Sequence, residues 1–171
     1  MTTQNSLTTS GGVQLNVRPA REGDEALLDA FFSHVTPEDL RFRFLSSVRK
    51  VGADQIAAMT HVDHRQTENL LAFDARGDRL VATAMLACDD ALERGEVAVV
   101  LDRDYKGRGI GWEMLRLITE TAREQGVKEV ESIESRENHA AIDLEREMGF
   151  TAQSCPGDST LVLVRRSLRP D

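Results

Sequence analysis

Apolar and polar positions alternate with two different periods along this chain. Val13 to Val17 repeats with period two, as a strand with one buried face does, and Arg18-Pro19 closes it. Leu27, Leu28, Phe31 and Phe32 then recur at helical spacing between Glu22 and Val35. Thr36-Pro37-Glu38-Asp39 is a helix start: a hydroxyl cap, proline at the first helical position and acids in the first turn. Leu40, Phe42, Phe44 and Leu45 continue it, and a further helix is predicted over Ala53 to Thr60. Asn69–Asp74 and Arg79–Ala87 read as strands joined by Ala75-Arg76-Gly77-Asp78, a hairpin turn that accounts for the Arg-Gly-Asp triplet. Gly95 to Leu101 is a β-branched run. Ile110, Met114, Leu117, Ile118 and Thr121 then mark a helix that Gly126 ends. Val127–Ile133 is another strand, a helix follows Asn138, and the apolar runs Phe150–Cys155 and Thr160–Val164 pair across Pro156-Gly157-Asp158.

This order of elements predicts an α/β fold with a mixed central sheet and helices on both faces. A parallel strand pair is required where a helix connects two neighbouring strands. Residues 1–12 are small and polar without periodicity and read as a disordered tail, leaving 13–171 as one domain.

Composition narrows the function classes. At 171 residues the chain can bury a substantial core, and its net charge of −8 argues against general nucleic-acid binding. No run approaches the length of a membrane span and no apolar leader follows the start, so a cytoplasmic location without membrane association is expected. Two cysteines, Cys88 and Cys155, suggest neither a disulfide scaffold nor a metal site. His61-Val62-Asp63-His64 lacks further ligands at suitable spacing, and no metal is expected.

The densest chemistry follows the run at 95–101. Asp102-Arg103-Asp104-Tyr105-Lys106-Gly107-Arg108-Gly109-Ile110-Gly111 places three glycines, flanked by the cations Lys106 and Arg108, between a strand and a helix. Glycines allow close backbone approach, and the first-turn N–H groups of the helix have no intrahelical partner, so the segment is an anion cradle sized for a pyrophosphate. It is not a Walker loop, because no Gly-Lys-Ser or Gly-Lys-Thr exists. Nor is it a Rossmann fingerprint, whose third glycine would fall at Trp112.

Lys106-Gly-Arg-Gly109-Ile-Gly111 instead resembles the [Q/R]xxGx[G/A] acetyl-CoA loop of the GNAT acyltransferase superfamily, with Lys106 in place of the usual Gln or Arg. Asn138-His-Ala-Ala141-Ile-Asp-Leu144-Glu-Arg-Glu-Met148-Gly149-Phe150 resembles the superfamily's Nxx[AM]xxLxxxxGF helix, in the order the resemblance requires. Two further segments, Thr36–Phe44 and Met59–Arg65, resemble those of bacterial protein-lysine acetyltransferases of the Pat type. The resemblance implies a GNAT fold, mostly antiparallel, with the strands at 95–101 and 127–133 splayed around the acyl-pantetheine arm. It also implies acetyl-CoA as cosubstrate and a cofactor site formed by Val99, Val100, Leu101, Lys106, Gly107, Arg108, Gly109, Ile110, Gly111 and Asn138.

Acyl transfer to an amine needs a base for the nitrogen, whose unperturbed pKa is ~10.4 in lysine, and donors for the developing oxyanion. Glu96 is the candidate base: it sits at the head of the strand that leads into the loop, and Val81, Leu86, Val97 and Val99 are expected to desolvate it. A glutamate here also resembles the base of the superfamily's protein-lysine acetyltransferases. Backbone N–H groups of Val99 to Leu101 are the expected oxyanion donors. Many superfamily members carry a tyrosine just after the leucine of the Asn138-type helix, where this chain has Glu145, and the only tyrosine, Tyr105, is assigned to packing, so the thiolate is expected to be protonated by a bound water or to leave unassisted. The leading reading is therefore direct acetyl transfer to a protein lysine, attracted by Glu38, Asp39, Asp54, Asp63 and Asp158. Acetyl transfer to a small amine and non-catalytic acyl-CoA binding are its rivals.

Overall fold

The computed structural model describes residues 5–45, 50–76 and 78–169. One eight-stranded sheet spans the molecule, built from β1 (Asn5–Thr8), β2 (Gln14–Pro19), β3 (Thr67–Asp74), β4 (Leu80–Cys88), β5 (Arg94–Leu101), β6 (Glu129–Ser135), β7 (Thr151–Cys155) and β8 (Asp158–Ser167). Their order is β1-β2-β3-β4-β5-β6-β8-β7, and every neighbouring pair is antiparallel except β5 and β6. This is the mixed, mostly antiparallel α/β sheet with one parallel pair that the sequence predicts.

Among the described residues, five α-helices cover both faces: α1 (Glu25–Phe32), α2 (Pro37–Phe44), α3 (Ala53–Thr60), α4 (Ile110–Glu124) and α5 (His139–Glu147). Period two in the strands divides the core into two layers. Leu15, Val17, Leu70, Val81, Leu86 and Val97 face the layer of α4, whose Ile110, Met114, Ile118 and Ala122 form one buried stripe. Leu71, Leu80 and Val100 face the other layer and meet Leu28, Phe31 and Phe32 of α1 with Ile56 and Met59 of α3. The start of α2 is as the sequence dictates: Thr36 Oγ1 accepts from Asp39 N at 3.1 Å, with Pro37 at the first helical position.

Two expectations are corrected. Residues 5–12 are not a disordered tail: β1 pairs with β2 from Asn5↔Val17 to Thr8↔Gln14, which extends the sheet by one strand. Beyond it, Thr9 Oγ1 donates to the carbonyl of Arg108 at 2.7 Å, tying the N-terminal hairpin to the glycine loop. A four-residue edge strand with Leu7 as its single apolar residue has too little pattern to be visible in sequence. The sixth strand also lies later than Val127–Ile133, at Glu129–Ser135, because Val127 and Lys128 form the turn that follows α4. Of the predicted Arg-Gly-Asp turn, Gly77 lies outside the described residues.

Candidate functional site

β5 and β6 pair only from Arg94↔Glu129 to Glu96↔Glu131, although they continue to Leu101 and Ser135. Past that fork the strands part, and a cavity of about 380 Å³ opens between them. The crossover helix α4 leaves β5 for β6, so its N-terminus stands at one end of this cleft. Backbone donors on the β6-facing edge of Val97 to Leu101 have no strand partner there.

The glycine loop is held in a conformation suited to an anion. Gly107 and Gly109 have φ of 75° and 82°, the left-handed region that side chains disfavour. Gly109 caps α4 without any side-chain hydrogen bond, so the first-turn N–H groups remain available to a ligand. A Cβ on Gly109 would stand 2.5 Å from Ser10 Oγ, whereas one on Gly111 would meet Leu101 Cδ1 at an ordinary 3.7 Å. Gly111 is therefore not demanded by the protein's own packing, and its bare surface faces the cavity. A group approaching the backbone closely is what such a surface fits.

The predicted site residues fall into two groups. Val99, Val100, Leu101, Lys106, Gly107, Gly109, Gly111 and Asn138 all line the cavity, as does Glu96. Lys106 is engaged by α2, its Nζ lying 2.6 Å from Asp39 Oδ2. Asn138 caps α5, accepting from Ala141 N at 3.4 Å. Arg108 and Ile110 do not line the cavity: the Arg108 guanidinium stacks 5.2 Å from the Tyr105 ring centre, and Ile110 is wholly buried in the core beneath α4. Tyr105 is a packing residue whose hydroxyl donates to Asp74.

Glu96 occupies the last paired position before the fork, but not the apolar pocket the sequence suggests. Alternation along β5 turns Val97 and Val99 toward the α4 layer and Glu96 to the opposite face, where it is exposed. Val81 and Leu86 belong to the α4 layer as well. The charge that reaches Glu96 is that of Arg43 of α2, a half-buried guanidinium that also interacts by charge with Glu134 of β6. Burial pulls the Arg43 pKa below its ordinary value, and the two carboxylates oppose that shift.

Sequence reasoning missed several residues. Glu145 is 5% exposed and lines the cavity, and burial together with the neighbouring Glu134 holds its carboxyl group far above the usual carboxylate range. A signal was present: Glu145 follows Ala141 by four positions and Ile142 by three, so it falls on the inward stripe of α5. Asp102, fully buried, accepts from Arg79 at 2.7 Å and from Asp104 N at 2.9 Å, which fixes the turn at Arg103–Tyr105 ahead of the loop. The histidine cluster disperses. His61 lies near Glu22 and Glu25, His64 contacts Glu68, and Asp63 caps the backbone of Arg65, Gln66 and Thr67. Neither cysteine reaches the cavity, and burial pushes the Cys88 thiol up to about 11, so neither is placed to carry the acyl group.

A strand fork beside a glycine-capped helix suits a thioester whose arm lies between strands and whose phosphates meet the helix. Relatives agree. The acetyltransferase (GNAT) family model matches residues 32–150. Acetyltransferase PA5475 of Pseudomonas aeruginosa is 28% identical over 159 residues, covering 92% of this chain and 86% of that protein. The GNAT domain of S. lividans PAT superposes with a TM-score of 0.89 at 22% identity, over 96% of each chain. The structure of yncA from Salmonella typhimurium with its cofactor acetyl-CoA superposes with a TM-score of 0.70 at 18% identity, covering 92% of this chain and 95% of that one. The chain belongs to the GNAT acetyltransferase family and is an acetyl-CoA-dependent N-acetyltransferase.

Proposed function

We propose that this enzyme moves the acetyl group of acetyl-CoA to the ε-amine of a protein lysine by direct attack, with Glu96 as general base. The observation that carries the reading is the position of Glu96 at the fork. It is the last residue of β5 paired to β6, it borders the cleft, and it is open to the face from which an amine arrives. A second, broader depression of about 650 Å³ shares Leu45 with the cleft and is lined by Arg41, Ser135, Arg136, His139 and Thr160 among others. Such a groove suits a polypeptide segment that delivers one long side chain to the fork.

Val99 to Leu101 would hold the thioester carbonyl through backbone N–H groups. Gly107, Gly109, Gly111 and the first turn of α4 would hold the pyrophosphate, with Lys106 adding charge. Asn138 would flank the arm from α5. Bound there, acetyl-CoA supplies an activated acyl group. Glu96 takes the proton that the amine must lose, directly or through one water.

Of the five acids expected to attract a basic acceptor, three have local roles in the fold. Asp39 binds Lys106, Asp63 caps a turn and Asp158 accepts from Thr160 N at 2.9 Å. The groove itself presents Arg41 and Arg136 against Glu137, so a basic patch is not what its charge favours. Comparing kcat/KM for a protein acceptor, a lysine peptide and spermidine at low and high salt tests the acceptor. A protein or peptide is expected to lead; spermidine ahead of every lysine tried would assign the enzyme to small amines.

A further inference from the structure

Glu145 is the most deeply placed titratable group in the cleft, and the base reading of Glu96 makes no use of it. It projects from α5 with 5% of its surface exposed, and its Oε1 is buried without a hydrogen-bond partner. Glu134 of β6 faces it within hydrogen-bonding range, and both side chains line the cavity. Glu134 in turn accepts from Ser132 Oγ at 2.6 Å and from Asn138 Nδ2 at 3.4 Å. Double ionisation of two carboxyl groups in such contact is strongly disfavoured, and a shared proton turns their repulsion into a hydrogen bond. Burial of Glu145 and its unpartnered Oε1 outweigh the help that Ser132 also gives its charged form, and they place the proton on Glu145. Arg43 of α2 faces Glu134 and Glu96 and balances the charge of the former.

The pair also stands at the right level of the cleft. Glu96 pairs with Glu131, so continuing that parallel register past the fork brings Glu134 level with Val99. Val99 begins the stretch of β5 whose N–H groups are proposed to hold the thioester carbonyl. A sulfur bonded to that carbonyl carbon lies beside the same stretch, and Ile133, Ala141 and Leu144 give the cleft apolar walls there. A thiolate expelled against apolar walls lacks the water that would stabilise it.

We propose that Glu145, protonated and hydrogen-bonded to Glu134, is the general acid that delivers a proton to the departing CoA sulfur. This rests on acetyl transfer occurring at this cleft. The acceptor nitrogen forms the new C–N bond, the C–S bond breaks with its electron pair on sulfur, and the Glu145 O–H proton moves to that sulfur to give the free thiol. The nitrogen loses one proton to Glu96 and thence to solvent. The pair, left as two carboxylates, recovers one proton from solvent before the next turnover.

The test combines a titration with kinetics. Carboxyl carbons of ¹³C-labelled glutamate are followed by NMR across pH. One resonance should stay protonated through neutrality in the wild type and be missing in Glu145→Gln. Turnover is then measured with hydroxylamine as probe acceptor, an amine already neutral near pH 7. Glu145→Gln should lower kcat on the order of 10²-fold with CoA affinity by calorimetry unchanged. The wild-type kcat should fall at alkaline pH, that limb should vanish in Glu145→Gln, and in Glu134→Gln it should move to lower pH, because the charge that raises the Glu145 pKa is gone. A Glu145 that ionises with ordinary carboxylates, an unchanged kcat, a retained alkaline limb, or a loss confined to CoA affinity would each overturn the proposal. Failure of the pair alone leaves wild-type acetyl transfer intact. A wild type that binds CoA but acetylates neither hydroxylamine nor any lysine or polyamine removes the acetyl-transfer reading, and the donor role with it.

Discussion

The two walls of the cleft are built in different ways. At the α4 end, recognition rests on backbone: Gly107 and Gly109 in left-handed conformations, a helix N-terminus capped by glycine with no side-chain hydrogen bond, and unpaired N–H groups along β5. At the fork and along α5 it rests on side chains brought from distant elements: Glu96 from β5, Glu134 from β6, Glu145 from α5 and Arg43 from α2. A backbone cradle depends on a few consecutive residues having no side chain in the way. A cluster of charges depends on the packing that brings it together, and each member shifts the protonation of the others. The first wall should therefore tolerate loss of nearby side chains and fail when a Cβ is added. The second should tolerate changes of backbone neighbours and fail when one carboxylate is neutralised.

The largest expected effect lies on the side-chain wall. Glu96→Gln should lower turnover on the order of 10²–10⁴-fold while CoA affinity stays unchanged, and the loss should shrink at high pH as more acceptor amine is already neutral. Steady-state kinetics with calorimetry checks both halves, and a variant with wild-type turnover at neutral pH would remove Glu96 from the mechanism.

Gly111→Val probes the other wall. Because a Cβ there meets only Leu101 at 3.7 Å, the variant should fold and yet lose CoA affinity on the order of 100-fold. Undiminished binding by a folded Gly111→Val protein would exclude this loop as the pyrophosphate site. Gly109→Val is a less clean probe, since its added atoms would also strain the contact with Ser10 and a φ of 82°.

Arg79→Leu asks how far the backbone wall depends on a side chain behind it. It strands Asp102, which is wholly buried, while Arg79 itself is partly exposed. A stability loss of about 2 kcal/mol is expected, roughly 4–8 °C in Tm by thermal denaturation. An unchanged Tm would mean that Asp102 finds other partners or takes up a proton at no cost.

The buried acid gives a pH dependence with a definite sign. The Glu145 pKa is raised in the folded state, so the native protein binds more protons than the unfolded chain above the unfolded value of ~4.3. Stability from this group is fully present below that value and is lost as pH rises, by at most about 1.4 kcal/mol per pH unit. Glu145→Gln should abolish that slope and raise Tm at neutral pH. Denaturant titrations of both proteins at several pH values decide it, and parallel slopes would show that Glu145 is ionised.

The smallest effects should come from side chains that brace the cradle from outside. Thr9→Val removes the hydroxyl that holds the Arg108 carbonyl, and Lys106→Ala removes an exposed ion pair with Asp39. Each should cost about 1 kcal/mol or less and weaken CoA binding only a few-fold. A large loss in either would mean that the backbone wall is not self-supporting.

The sequence by itself determined the alternation of elements, the position of the glycine loop and the helix that follows it. These features are local: a left-handed turn, an N-terminal cap and an apolar stripe are written into consecutive residues. It also marked Glu96, though with the wrong surroundings. Period two decided which neighbours lie on its face, and Arg43, more than fifty positions earlier, could be placed there only by the packing of α2. β1 left no readable pattern because four residues at an edge, only Leu7 among them apolar, are held by the strand beside them. Glu145 was legible as an acid on an apolar stripe, but its partner was not. Whether a buried carboxyl group keeps its proton depends on what stands opposite, and only the fold set β6 and Glu134 against that face of α5.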